Sequence, residues 1–271
     1  MRFAFCNEGF GNRPWGDQCA AIAQAGYDAV EIAPYTLAED VRNLSPSARV
    51  ELRRAARDAG LDVAGLHWLL VKPEGLHISH PDAAVRARTV DYLRHLTDFC
   101  GDLGGAVMVF GSPKQRGRSA GAGEQDAWQW AAETFAQVLP TLSARGVTLC
   151  LEPLTAAETD FILNAADGRR MVEEIGHPNF RLLLDVKAMV SERDPIPALI
   201  RRHADILGHF HANDANLQAP GCGETDFRPI LAALSDVGYG GYVSTEPFKF
   251  STDIDTIVQQ SLRYLKSCLP K

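Results

Sequence analysis

The chain has 271 residues, 46% hydrophobic and 23% charged, with 27 basic against 34 acidic side chains and a formal net charge of −7. That length supports a full core without disulfide staples, and the acidic balance argues against a nucleic-acid partner, which needs concentrated Lys and Arg. Residues 1–6 lack the long apolar segment and cleavage site of a secretory leader, and no stretch of 18 apolar residues is present to span a membrane, so neither is expected.

Short apolar runs alternate with longer amphipathic stretches, the rhythm of repeated βα units and a parallel sheet. The run 2–6 precedes a helix over 15–25, with Cys19, Ile22 and Ala23 on one face and Gly26 behind it. The run 28–32 leads to a helix over 46–59, opened by Ser45 and a first-turn proline, Pro46, and closed by Gly60. After the run 61–66 comes a helix over 82–103, where Val85, Val90, Leu93, Leu96 and Phe99 form a stripe. The run 105–110 is followed by a loop, 111–123, rich in Gly, Ser and Arg, and by a helix over 124–145 that stops at Gly146. The remaining runs are 147–151, 181–184, 206–210 and 241–245, with a helix over 226–237 before Gly238.

Eight candidate strands, with no linker or low-complexity tract, predict an α/β chain folded as a (β/α)8 TIM barrel, one domain over 1–271. An open doubly wound sheet is the alternative. Its phosphate-binding turn would fall at 7–12, which lacks the third glycine and a ribose-binding acid. The loop 111–123 would lie at the C-terminal mouth, either as a substrate cover or as a plain connection. Six cysteines, Cys6, Cys19, Cys100, Cys150, Cys222 and Cys268, form no CxxC pair. They are read as reduced thiols in a cytoplasmic protein.

In such a barrel the residues just past the strands ring the active-site mouth. The fifth to eighth runs end in Glu152, Asp185, His211 and Glu246, spaced by about one βα unit each. Carboxylates left unpaired at a half-buried mouth are costly, and a divalent cation relieves them. Three carboxylates and one imidazole form a hard set that suits Mn²⁺ most, with Co²⁺ or Mg²⁺ as alternatives, and open positions for adjacent carbonyl and hydroxyl oxygens.

The motifs Leu151-Glu152-Pro153, Leu184-Asp185, Phe210-His211 and Thr245-Glu246-Pro247-Phe248 resemble the xylose isomerase-like barrel superfamily. More narrowly they resemble its sugar phosphate isomerase/epimerase branch, including ketose 3-epimerases of the tagatose/allulose type. The segments 25–32, 176–180 and 221–227 add to the likeness, which covers essentially the whole chain. The resemblance implies a metal held by Glu152, Asp185, His211 and Glu246. It implies that Glu152 and Glu246 act as an acid/base pair on either side of a sugar, through an enediolate, and that Glu158 binds substrate. It also implies a homo-oligomer, dimer or tetramer. Two departures stand out. The family's Asp-x-x-His-Met is here Asp185-Val186-Lys187-Ala188-Met189, and the loop 213–220 has no arginine.

Other candidates are read two ways. Lys187 either holds a substrate oxygen or stabilises an anion beside the metal, or it is a surface lysine at a strand end, and Lys114 is read likewise. His67 and Trp68 either meet the sugar at the mouth or pack in the core. Trp15 walls the pocket or packs its helix. Glu31 is expected to hold a group of the site from behind, His209 to be buried structure, and His77 and His80 to lie in a loop without partners. The expected function is a metal-dependent isomerase or epimerase of a sugar or inositol-derived ketone. A lyase, dehydratase or keto-glycoside-cleaving enzyme is the alternative, since proton removal beside a ketone can also expel a leaving group. A barrel endonuclease would need more histidines and a basic groove, and a non-catalytic subunit would have no use for four ligands.

Overall fold

The computed structural model describes residues 1–118 and 122–270. Residues 119–121, inside the loop read above as a possible cover, lie outside the described residues. Eight parallel strands close into a barrel in sequence order: β1 (Arg2–Cys6), β2 (Ala29–Ile32), β3 (Asp62–Leu66), β4 (Val107–Phe110), β5 (Thr148–Leu151), β6 (Phe180–Asp185), β7 (Leu207–Ala212) and β8 (Tyr242–Thr245). The expected closed barrel is therefore present. Closure comes from the β1–β8 ladder, with Phe3 opposite Val243 and Phe5 opposite Thr245.

Among the described residues ten α-helices lie around the strands: α1 (Trp15–Ala25), α2 (Pro46–Asp58), α3 (Ala83–Leu103), α4 (Glu124–Ala136), α5 (Leu139–Arg145), α6 (Ala165–Ile175), α7 (Val186–Met189), α8 (Ile196–Arg202), α9 (Phe227–Asp236) and α10 (Ile254–Ser267). Ser45 caps α2 by accepting from the Ala48 N–H at 3.2 Å, as its place before Pro46 predicts. Gly146 ends α5 with a φ of 65° that a side chain would strain. The single helix expected over 124–145 is two. Pro140 has no N–H to continue the ladder and its ring excludes the carbonyl four residues back, so α4 stops at Ala136 and α5 restarts at Leu139.

Apolar side chains fill the space between sheet and helices. Phe110 and Phe180 both pack on Phe135 of α4, at centroid distances of 5.2 and 4.9 Å, and each fully buried ring contributes about 1.5–3 kcal/mol. Gly65 pairs with Val107 across β3 and β4. A Cβ there would stand 2.0 Å from the Val107 carbonyl oxygen. All six cysteines are free thiols.

Candidate metal and active site

The C-terminal ends of β5 to β8 converge. Glu152 follows Leu151, Asp185 ends β6, His211 is the last residue but one of β7, and Glu246 follows Thr245. Each offers one ligand atom, and these atoms lie within 4.8 Å of one another; all four side chains are buried. In the β6–β7 register Asp185 pairs with His211, so two of the four are neighbours on adjacent strands.

Each ligand atom is aimed by a partner. His211 Nδ1 lies 2.9 Å from Glu246 Oε2, and its Nε2 lies 3.1 Å from Glu31 Oε1 on β2. Glu31 Oε2 is 2.8 Å from His209 Nε2. Glu31 therefore does what its strand-end position suggested: it holds His211 from behind, and His209 completes that support. Burial opposes the charge of Glu31, yet His209 and His211 keep its carboxyl well below the usual range. Glu246 Oε1 meets His67 Nδ1 at 3.0 Å, and His67 Nε2 lies 3.2 Å from Glu8 Oε2. Burial opposes ionisation of Glu246 too, and His211 and then His67 outweigh it. Glu152 goes the other way. Burial pushes it up to about 7 against the pull of Lys187, with Asp185 and Glu246 adding repulsion.

Three close, buried carboxylates and an oriented imidazole make a donor set that fits a hard or borderline divalent ion. Gly111, just past β4, leaves room for one of them. A Cβ on it would stand 1.8 Å from Glu152 Oε2. Beside the four candidate ligands lies a narrow cleft bordered by Trp68, Glu152, Glu158, Lys187, Glu246 and Phe248 among others.

Residues 19–268 match the model of the xylose isomerase-like TIM barrel family. The chain belongs to that family. It is 28% identical to a D-psicose 3-epimerase of Agrobacterium fabrum over 242 residues, 86% of this chain and 79% of that protein. It is 32% identical to an L-ribulose 3-epimerase of Mesorhizobium japonicum over 230 residues, 84% and 74%. Its fold superimposes on a D-psicose 3-epimerase from Clostridium cellulolyticum H10, solved with D-tagatose, at a TM-score of 0.88 over the full length of both chains, with 23% identity.

Within this family member the secondary candidates separate. Lys187 is a buried lysine, not a surface one. Its ammonium stands 3.3 Å from Glu152 Oε1 and 3.3 Å from Glu158 Oε1. Glu158 takes its other support from Thr155, whose N–H and Oγ1 donate to Oε2 at 3.1 and 2.9 Å. Trp68 reaches the cleft with a left-handed φ of 52°, lies edge-on to Phe248, and keeps a buried Nε1–H with no partner among the described residues. His67 borders the cleft but is held between Glu8 and Glu246. Lys114 is exposed, and the cleft is bordered by its neighbour Pro113 instead. Trp15 packs its helix, donating to the Leu52 carbonyl at 2.9 Å. His77 and His80 accept from the N–H groups of Ser79 and Asp82 and so shape their own loop.

Three participants escaped the sequence reading. Glu8 sits two residues past β1 and obeys the same strand-end rule as the ligands. Asn213 donates to Asp185 Oδ2 at 3.2 Å. Arg116 is buried and donates to the carbonyls of Glu152 and Phe110, both at 2.6 Å, and of Ser112 at 3.3 Å. It ties the turn after β4 to the end of β5, and nothing in its local sequence marks that role.

Proposed function

We propose that this chain is a divalent-metal-dependent epimerase of free ketoses, acting on a carbon beside the carbonyl. The observation that carries the reading is the convergence of Glu152, Asp185, His211 and Glu246 on one buried point beside the cleft. These four residues would hold the ion, Mn²⁺ in our reading, with Co²⁺ and Mg²⁺ as alternatives. The bound ion supplies positive charge that polarises the substrate carbonyl. The chain's own carboxylates move the protons. One of Glu152 and Glu246 removes the proton beside the carbonyl, and the other delivers a proton to the opposite face. Trp68 and Phe248 offer apolar faces to the sugar, and Glu158 a carboxylate to its hydroxyl groups. The 3-epimerase names of the relatives support this reading and lend none to elimination.

The test is proton exchange. Metal-loaded protein incubated in D₂O with a panel of ketopentoses and ketohexoses incorporates deuterium beside the carbonyl, followed by NMR, and a diastereomer of equal mass apart from the label appears. Glu152→Gln and Glu246→Gln each lower the rate by about 10³-fold or more while Mn²⁺-free folding is retained. Elimination products, or exchange that survives both substitutions, would overturn the assignment. We further propose a single barrel domain over 1–271, a dimer or tetramer in solution, and a cytoplasmic location, the last consistent with six free thiols. Among the described residues no helix is long and apolar enough to cross a membrane.

A further inference from the structure

Lys187 is rooted more firmly than a lysine on a loop. Its backbone N–H donates to Asp185 Oδ1 at 2.7 Å and to Asn213 Oδ1 at 2.8 Å, and the short helix α7 turns its side chain back over the barrel mouth. The side chain is 7% exposed. The ammonium meets Glu152 and Glu158, comes within 3.6 Å of Asp185 Oδ2, and rests 4.7 Å from the centre of the Phe248 ring. It also borders the cleft, beside the carboxylates that touch it. A cation placed so can reach a molecule in the cleft without moving its backbone.

We propose that Lys187 is a catalytic residue of the reaction proposed above, on which this inference rests: its ammonium hydrogen-bonds the substrate oxygen that becomes negative when the proton on the neighbouring carbon is removed. In that step the C–H bond breaks and an O–H bond forms on the carboxylate. The C–H electron pair becomes the new C=C bond, and the carbonyl π pair moves onto oxygen. With Glu152 as the base, one negative charge leaves Glu152 and one appears on the substrate. An ammonium beside Glu152 loses attraction to that carboxylate as it gains attraction to the substrate oxygen, and it favours the charge-shifted state to the extent that it sits nearer that oxygen. A proton from solvent, relayed by Glu246, then adds to the opposite face, the proton on Glu152 is released to solvent, and the ketone and both carboxylates are restored.

Charge counting points the same way. Glu152, Asp185, Glu246 and Glu158, when ionised, carry four negative charges; a divalent ion leaves two, and the Lys187 ammonium lowers that to one. The less negative the loaded centre, the more readily it accepts an anionic intermediate.

Lys187→Met tests the proposal, with Lys187→Arg as the conservative control. The decisive probe is glycolohydroxamate, a planar anion shaped like an enediolate, titrated into Mn²⁺-loaded protein by calorimetry. We expect Lys187→Met to bind it about 100-fold more weakly and to lose a similar factor in kcat for exchange. KM for a neutral ketose shifts by less than about fivefold, and Mn²⁺ binds at least as tightly as in the wild type, because a competing cation is gone. Lys187→Arg recovers part of both losses. Hydroxamate affinity and kcat within about threefold of wild type, with only Mn²⁺ affinity changed, would overturn the proposal and leave Lys187 as a counter-ion of the ligands. Wild type that binds Mn²⁺ and the hydroxamate with the expected Lys187 dependence, yet exchanges no proton on any ketose, would sink the sugar reading and leave this assignment standing. Wild type that does not bind Mn²⁺ overturns both.

Discussion

Both oxygens of Glu246 are engaged, Oε2 by His211 and Oε1 by His67, and His211 is in turn held by Glu31. Such supports fix the ring and raise the basicity of a ligand. Glu31→Gln removes the charge that holds both His209 and His211. It should weaken Mn²⁺ binding by about 10–100-fold, measured by calorimetric titration, while the barrel stays folded. Unchanged affinity would show that His211 is oriented by packing alone. At this scale the clustering of the four candidate ligands was legible because each follows an apolar run, where a lone acid or imidazole has no structural reason to be, and Glu31 was legible as an acid near the end of one. Glu8 was missed on the same rule, lying one residue further along its turn. Arg116 was not legible at all, since its partners are carbonyl groups, which leave no mark in a sequence. Lys187 stayed ambiguous because the direction of α7, inward or outward, is set by Asp185 and Asn213 and not by periodicity.

Strand ends were read from hydrophobicity, and the structure shows why that shortens some of them. The apolar runs stop at Leu184 and Phe210, but the hydrogen-bond ladder continues through Asp185 and His211, which still pair with each other. The chemistry begins before the sheet ends. Two glycines show how β4 serves this geometry. Gly65→Ala brings a methyl group against the Val107 carbonyl, part of a backbone that cannot yield. It should cost about 2–3 kcal/mol in urea-induced unfolding. Gly111→Ala presses instead on the Glu152 carboxylate. There we expect a folded protein with weakened Mn²⁺ binding, and a variant that binds Mn²⁺ like wild type would show that Glu152 can move aside. Between α6 and α8, the Nδ1 of His203 accepts from Arg169 Nε at 3.1 Å. Burial, then Arg169 and Arg202, lower the pKa of His203 below its ordinary value. Its folded value thus lies below the unfolded one. The stability it contributes is present above the unfolded value of about 6.5 and is lost as pH falls through the folded value. The Tm difference between wild type and His203→Gln should therefore shrink from pH 7 to pH 5. A difference independent of pH would mean that His203 does not titrate in this window.

For the molecule as a whole, closure of eight strands brings four ends together that are far apart along the chain, so an ion held there would be linked to folding. An ion that binds only the folded barrel stabilises it by about 2.7 kcal/mol at a hundred times its Kd, or several degrees in Tm for a chain of this size. Scanning calorimetry with Mn²⁺ and after chelation checks this, and an unchanged Tm would count against the ligand set. The barrel was legible from the eight-fold rhythm alone, because each run is long enough to bury and each intervening stretch long enough to return. The break between α4 and α5 was not, since the helix over 124–145 was read from its stop signal at Gly146 and Pro140 was passed over.

The groups that aim His211 and Glu246 come from the strands or their immediate ends, namely Glu31, His67 and His209. The cleft opposite is walled partly by connecting segments, which contribute Trp68, Pro113, Glu158, Lys187 and Phe248. Floor and walls are thus built from different stock. Grafting those connections between members of the family should exchange substrate preference while the ion-holding floor is inherited intact, which makes this barrel a chassis for redirecting ketose chemistry.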